Sequence, residues 1–250
     1  MKQSIDWQIA TIKSVRAETA RVKTLSLVLP RQVRHKAGQH YDIRLTAPDG
    51  YQAQRSYSIA SEPERDGQID LTVEKIETGE VSTYLHDVLI PGDQLEVRGP
   101  IGGYFVWEAS RVEPLLLVAA GSGIVPLMAM IRQRAACQSK VPARLLYSSR
   151  TYQDIIYREE LERLAEQGDG LQVFHTLTRG QPPDWRGYRR RIDEQMLAEI
   201  VKPLGDSVQV FVCGPTLLVE SVADHLVHLG MAASRIRTER FGPSGETKGT

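Results

Sequence analysis

Arg55, Tyr57 and Ser58 fall within RSYSIA, residues 55–60, a segment that follows a glycine-bearing turn and alternates as a strand does. A guanidinium, a phenol and hydroxyls this close together suit a ligand with an anionic end and a flat aromatic end. The cation would pair with phosphate and the ring would pack on a ring. The plainer reading is a strand whose polar groups face water. Strict alternation puts Arg55 and Tyr57 on one face and Ser58 on the other. A twist or bulge is therefore needed to bring all three to one ligand.

Glycine-bearing turns form a second set of candidates. In AAGSGIVP, residues 119–126, Gly121, Ser122 and Gly123 join an apolar run to a helical pattern, where free N–H groups would face a pyrophosphate. The motif is G-x-G-x-x-P and lacks the third glycine of the dinucleotide fingerprint, so alone it reads equally as a tight turn. FVCGP, residues 211–215, ends a later strand. Ligands of doubly wound sheets sit at the carboxyl ends of strands, which would bring Cys213, Gly214 and Pro215 to the same crevice. A lone cysteine is more often a buried small hydrophobe. GEVSTYL, residues 79–85, opens a helix with Gly79, Val81, Ser82 and Thr83, either as an anion site or as ordinary capping. GPIGGYF, residues 99–105, reads as a turn at the end of a strand.

Two different periods position these groups. Up to about residue 108 the chain consists of short alternating or β-branched segments, WQIATIKSV, RVKTLSLVL, HYDIRLTA, QRSYSIAS, QIDLTVEKI and DQLEVRG, with turn signals between them. One helix, VSTYLHDVL at 81–89, interrupts them. This predicts a small antiparallel barrel. From about residue 109, PLLLVAA is apolar throughout, as a strand buried on both faces must be. Helical and strand patterns then alternate to RIRTERF, predicting a doubly wound parallel sheet. The expected division is 1–108 and 109–250.

Composition narrows the function classes. The 250 residues are 41% hydrophobic, enough for two cores, and 31 basic residues balance 31 acidic ones, leaving no field for nucleic acid. Two cysteines, Cys137 and Cys213, cannot ligate an iron–sulfur cluster or build a disulfide framework. No apolar run reaches membrane-spanning length and no signal core stands at the start, so a soluble, reducing, cytoplasmic setting is expected. His225 and His228 share a predicted helix three residues apart. The sequence shows no third ligand, so they are read as surface or hydrogen-bond-satisfied histidines. RGYRRRID, residues 186–193, reads as a solvated or phosphate-binding loop. Leu116, Val118 and the methionines read as core. Trp7 and Trp107 have no assignable role.

In their order along the chain, the RSYS strand, the GEVST helix start, GPIGGYF, GSGIVP and VCGP resemble the ferredoxin–NADP reductase family across nearly the whole chain. AGQHYDIRL, residues 37–45, is similar to that family's G-Q strand. The resemblance implies a barrel that binds FAD and an α/β domain that binds a nicotinamide cofactor. Arg55 would anchor a flavin phosphate, Tyr57 pack on the isoalloxazine and Ser58 lie near N5, with Gly79, Val81, Ser82 and Thr83 at the pyrophosphate. Gly121, Ser122, Gly123, Gly214 and Pro215 would border the nicotinamide cofactor, with Cys213 beside its ring. Glu239 and Phe241, from ERF, resemble the carboxylate and aromatic that lie near the flavin.

The implied reaction passes hydride from NAD(P)H to FAD and electrons onward to a separate acceptor, such as a ferredoxin, a flavodoxin or an oxygenase component. The alternatives are a flavin reductase and a flavin-bearing subunit of a larger complex. NADPH is favoured over NADH. Ser149 and Arg150 end one strand, Thr178 and Arg179 resemble the family's phosphate-gripping pair, and Arg190 or Arg191 would approach from the next loop. Asp154 supports the NADH alternative. The tail GPSGETKGT reads as a bare tail or a linker.

Overall fold

The computed structural model describes residues 5–31, 34–65 and 67–242. The first half is one six-stranded antiparallel sheet of order β4-β3-β6-β1-β2-β5. Its strands are β1 (Gln8–Thr19), β2 (Val22–Val28), β3 (His40–Thr46), β4 (Gln52–Ser58), β5 (Gln68–Glu74) and β6 (Gln94–Ile101). The sheet closes on itself just past β4, where Ile59 bridges Leu71 of β5 and the Ala60 N–H donates to the Asp70 carbonyl at 2.8 Å. Closure removes the exposed edges that β4 and β5 would otherwise carry. The inward residues Ile12, Leu25, Leu27, Tyr41, Ile43, Leu71 and Val97 fill the interior. One helix, α1 (Glu80–Asp87), caps the barrel with Val81 and Leu85. It starts one residue earlier than expected and ends two earlier, because Gly79 is already the extended N-cap and Val88 the C-cap.

The second half is a five-stranded parallel sheet of order β11-β10-β7-β8-β9. Its strands are β7 (Leu115–Ala120), β8 (Ala143–Thr151), β9 (Leu171–Gly180), β10 (Gln209–Pro215) and β11 (Ile236–Phe241). The helices are α2 (Ile124–Ala136), α3 (Arg158–Glu166), α4 (Glu194–Val201) and α5 (Thr216–His228). The apolar run of β7 is explained by two covered faces. Leu115, Leu117 and Ala119 pack with α2 and α3, while Leu116 and Val118 pack with α4 and α5. Strand order reverses between β7 and β10, so the crevice belongs at their carboxyl ends.

The barrel docks on the α2 and α3 side. Phe105 and Trp107 share the core of that face, and the Phe105 ring meets Phe211 edge-on at 5.3 Å. Arg132 of α2 donates to the Ala60 carbonyl at 2.7 Å and forms a two-pronged pair with Glu160. The Tyr157 hydroxyl donates to Thr72 of β5 at 2.5 Å. Trp7 now has a place, with the guanidiniums of Arg44 and Arg98 over its ring at 4.1 and 4.8 Å. Among the described residues no helix is long and apolar enough to cross a membrane.

Candidate cofactor-binding site

On the barrel, β4 pairs with β3 in unbroken register, His40 to Ser58 through Thr46 to Gln52. This pairing contains no bulge that would bring Ser58 onto the face of Arg55 and Tyr57, which leaves twist as the expected means. The chain changes partner only after Ser58, at the bridge that closes the barrel. Ser58 is buried, directly across from His40. Arg55 and Tyr57 lie on the other face. Tyr57 is half-buried against the barrel core, and burial pushes its phenol up to about 12. Arg55 is exposed, and among the described residues it makes no ion pair; its one hydrogen bond goes to the carbonyl of Gln54.

The start of α1 stands beside this face. Tyr51, near enough to Arg55 to feel its charge, donates from its hydroxyl to Glu80 at 3.0 Å. No side chain caps the first turn of α1, so its leading N–H groups stay open to an anion. The capping role expected of a serine or glycine is only half met. Gly79 is the N-cap, but the Ser82 hydroxyl turns inward, accepting from the Ile76 N–H at 3.1 Å and donating to the Gly79 carbonyl at 3.2 Å. Thr83 donates to the Ile76 carbonyl. These hydroxyls shape the turn, and the backbone faces the anion. An uncommitted guanidinium beside an uncapped helix start fits a phosphate of a dinucleotide such as FAD.

The glycine loop after β7 meets the barrel at this level. The Ser122 hydroxyl donates to the Glu74 carboxylate, at the end of β5, at 2.7 Å. Gly121 has φ of 54° and stands in open space, whereas a Cβ on Gly123 would lie 2.2 Å from the Cys213 carbonyl oxygen. The second glycine is thus demanded by close packing of the two loops, and the first leaves room for a ligand. Neither α2 nor α5 has a side-chain cap or an acid in its first turn; the Ile124 N–H bonds back to the Gly121 and Ser122 carbonyls, while the start of α5 is left open.

Cys213 is fully buried between Ala119 and Glu239 in register. Burial, with Glu239 adding to it, holds its thiol well above the usual range and hence neutral. At this strand end the exposed group is Pro215, with Gly214 buried against Ala120. Burial also pushes the Glu239 carboxyl up to about 7, and its Oε2 is buried without a hydrogen bond. Phe241 pairs with Pro215 and packs on the core of the α2 face. Of the tail only Gly242 is described; residues 243–250 lie outside the described residues.

A crevice opens at the carboxyl ends of β8 and β9, lined by Thr151, Tyr152, Gly180, Trp185, Arg186, Glu162 and Asp184. The Tyr152 and Trp185 rings meet edge-on at 5.9 Å. Sequence reasoning assigned neither ring, although each follows a strand end on the wall of this crevice. Arg150, Arg179 and Arg191 are exposed and form no ion pair among the described residues. Arg190 is engaged by Asp193 at 2.5 Å. Asp154 turns back to accept from the N–H and hydroxyl of Thr151. Thr178 donates to the Ser149 carbonyl. Ser149 itself is buried within the sheet, opposite Leu177.

Comparison with known proteins fits this geometry. The model of the oxidoreductase FAD-binding domain matches residues 8–106, and that of the oxidoreductase NAD-binding domain matches residues 117–224. Ferredoxin–NADP reductase B of Sorangium cellulosum (strain So ce56) is 36% identical over 82% of this chain and 85% of its own. This chain belongs to the ferredoxin–NADP reductase family of FAD-dependent oxidoreductases. A glycine betaine monooxygenase reductase subunit of Pseudomonas aeruginosa (strain UCBPP-PA14) is 33% identical over 84% of this chain, which spans 57% of that relative's length. In fold, the FAD/NAD-binding domain of a nitric oxide dioxygenase from Vibrio cholerae O1 biovar El Tor superposes with a TM-score of 0.85. It covers 94% of this chain and 99% of that one at 24% identity.

Proposed function

We propose that this chain is an NADPH-oxidising reductase that holds FAD on residues 1–108 and the nicotinamide cofactor on residues 109–250, and hands electrons to a separate redox protein. The observation that carries the proposal is the Ser122 to Glu74 hydrogen bond. It fastens the crevice loop of the second domain to the end of β5, five residues before the open start of α1. Two dinucleotide sites of complementary chemistry therefore meet at one seam. When bound, the flavin supplies hydride acceptance and one-electron release.

The chain's own residues bind, orient and shield. Arg55 and the α1 N–H groups hold phosphate, and Tyr57 offers a ring whose hydroxyl stays protonated. Gly121 admits the second pyrophosphate to the uncapped α2 start. Glu239, neutral below about pH 7, keeps a proton-bearing oxygen next to Cys213 without adding negative charge to the crevice. Ser58, by the family resemblance, lies toward flavin N5.

Arg150, Arg179 and Arg191 supply uncommitted cations for the extra phosphate of NADPH. NADH is the second reading, favoured by the carboxylates of Glu162 and Asp184 on the crevice wall. The acceptor is a ferredoxin, a flavodoxin or an oxygenase component; relatives named ferredoxin–NADP reductase B and glycine betaine monooxygenase reductase subunit favour the first and the last.

The test is anaerobic titration of the purified, flavin-loaded protein with each nicotinamide, followed by a screen of protein acceptors. NADPH should bleach the flavin absorbance at lower concentration than NADH, and one class of acceptor should restore it. A protein that carries no flavin, or that reduces only free flavin in solution, refutes the reading. In Arg55→Ala, loss of a charged hydrogen bond worth about 1.5–3 kcal/mol should weaken flavin retention roughly tenfold to a hundredfold.

A further inference from the structure

Glu194 opens α4, and His225 and His228 lie three residues apart on α5, which packs beside it. The sequence offered the two imidazoles without a third ligand; the fold supplies it. One donor atom from each of the three residues lies within 4.8 Å of the others. Glu194 Oε2 is 3.3 Å from His225 Nδ1 and 3.7 Å from His228 Nδ1. Nitrogen and oxygen ligands at about 2.0–2.1 Å from a tetrahedral ion stand about 3.3 Å apart, and the two carboxylate–imidazole separations come near that value. His225 Nδ1 is buried and has no hydrogen bond among the described residues, despite its nearness to the carboxylate. Its valence is left for a partner other than Glu194.

We propose that Glu194, His225 and His228 bind one divalent transition-metal ion of the zinc class, with water completing the shell on the solvent side. Two imidazoles and one carboxylate suit zinc, nickel, cobalt or copper, and do not suit magnesium or calcium, which take oxygen ligands. The site lies on the α4 and α5 face of the parallel sheet, away from the barrel, and so is separate from the proposed flavin and nicotinamide sites. It would tie the exposed ends of two helices that already share the core through Leu197 and Val222. Asp193, the residue before Glu194, is already committed to Arg190 and to the N–H of Met196, and is not counted as a ligand.

The test uses the full-length, flavin-loaded protein stripped with chelator and titrated with zinc chloride by calorimetry, with magnesium chloride as the contrasting probe. The expected result is one zinc per chain, binding weaker by about tenfold or more in His228→Ala and in Glu194→Gln. Cys137→Ser, which removes the exposed thiol elsewhere, should leave it unchanged. The thermal midpoint of the wild type should rise with zinc, and that of His228→Ala should not. His228 and Glu194 are both exposed, so these variants keep the fold, as circular dichroism and flavin content will register. No zinc uptake, uptake that neither variant diminishes, or equal affinity for magnesium overturns the proposal. The three groups would then be ordinary ion pairs between helices.

Discussion

Replacing Glu239 with glutamine removes one buried ionisable group while keeping the shape of the side chain. Burial raises this carboxyl from its ordinary 4.5 to about 7. Between those values the folded chain holds a proton that the unfolded chain releases, so stability falls as pH rises through this window and levels off above it. Each tenfold change in proton affinity is worth about 1.36 kcal/mol. The full interval corresponds to about 3 kcal/mol, or about 2–3 kcal/mol after allowing for residual contact with solvent. Glutamine cannot ionise, so the variant should gain that much on the wild type between about pH 5 and about pH 9. Any fixed penalty for its amide in the same place adds equally at every pH and drops out of the comparison. The assay is urea unfolding followed by far-ultraviolet circular dichroism across this range, in both proteins. Parallel stability curves would show that the carboxyl is solvated in the folded state, and the burial argument would fail.

A second titration should run the other way. His175 is lowered to about 4 by burial, so the unfolded chain binds the proton first and stability falls as pH drops below about 6.5. His175→Phe keeps the ring beside Tyr147 and Trp185 and should abolish a loss of about 2 kcal/mol between about pH 6.5 and about pH 5 in urea melts. Gly123→Ala places a methyl against the Cys213 backbone, which cannot yield as a side chain would. Thermal melts should register about 1–3 kcal/mol of destabilisation, with a raised KM for the nicotinamide cofactor. Arg179→Ala should raise the KM for NADPH by roughly tenfold to a hundredfold in steady-state assays while sparing NADH. An equal effect on both cofactors would assign Arg179 to general solvation.

Much of this molecule is legible along the chain because its two halves bury their strands differently. Half-covered barrel strands alternate, while β7 is covered on both faces and reads as an unbroken apolar run, so the change of period marks the change of architecture. The strand ends were legible for the same reason, since Gly121 follows the apolar run of β7 and Cys213 lies near the end of β10. What escaped depends on register between distant segments. Tyr152 and Trp185 meet only because β8 and β9 are neighbours, and Glu194 reaches the histidines only because α4 and α5 share a face. The inward turn of Ser82 was hidden too, because its partner Ile76 lies before the helix and a capping pattern does not say which way the hydroxyl points. Ser149 illustrates the converse. A polar residue near a strand end suggests a ligand, yet pleat and neighbouring strands bury it within the sheet.

Tyr157 has φ of 59°, a left-handed conformation unusual for a tyrosine, immediately before α3. From there its hydroxyl reaches Thr72 in the barrel, while Arg132 lies 4.9 Å over its ring and holds Ala60. The seam is thus written in two matched side-chain pairs, Thr72 with Tyr157 and Glu74 with Ser122, while Arg132 holds the main-chain carbonyl at Ala60. Exchanging one half of this protein for that of a relative joins two sequences that never adapted to each other at those positions. A chimera cut between residues 108 and 114 inherits whichever partners its donors happen to carry, and a mismatch strands the buried Tyr157 phenol at the junction. Recombination that respects the fold must therefore carry these two pairs across together.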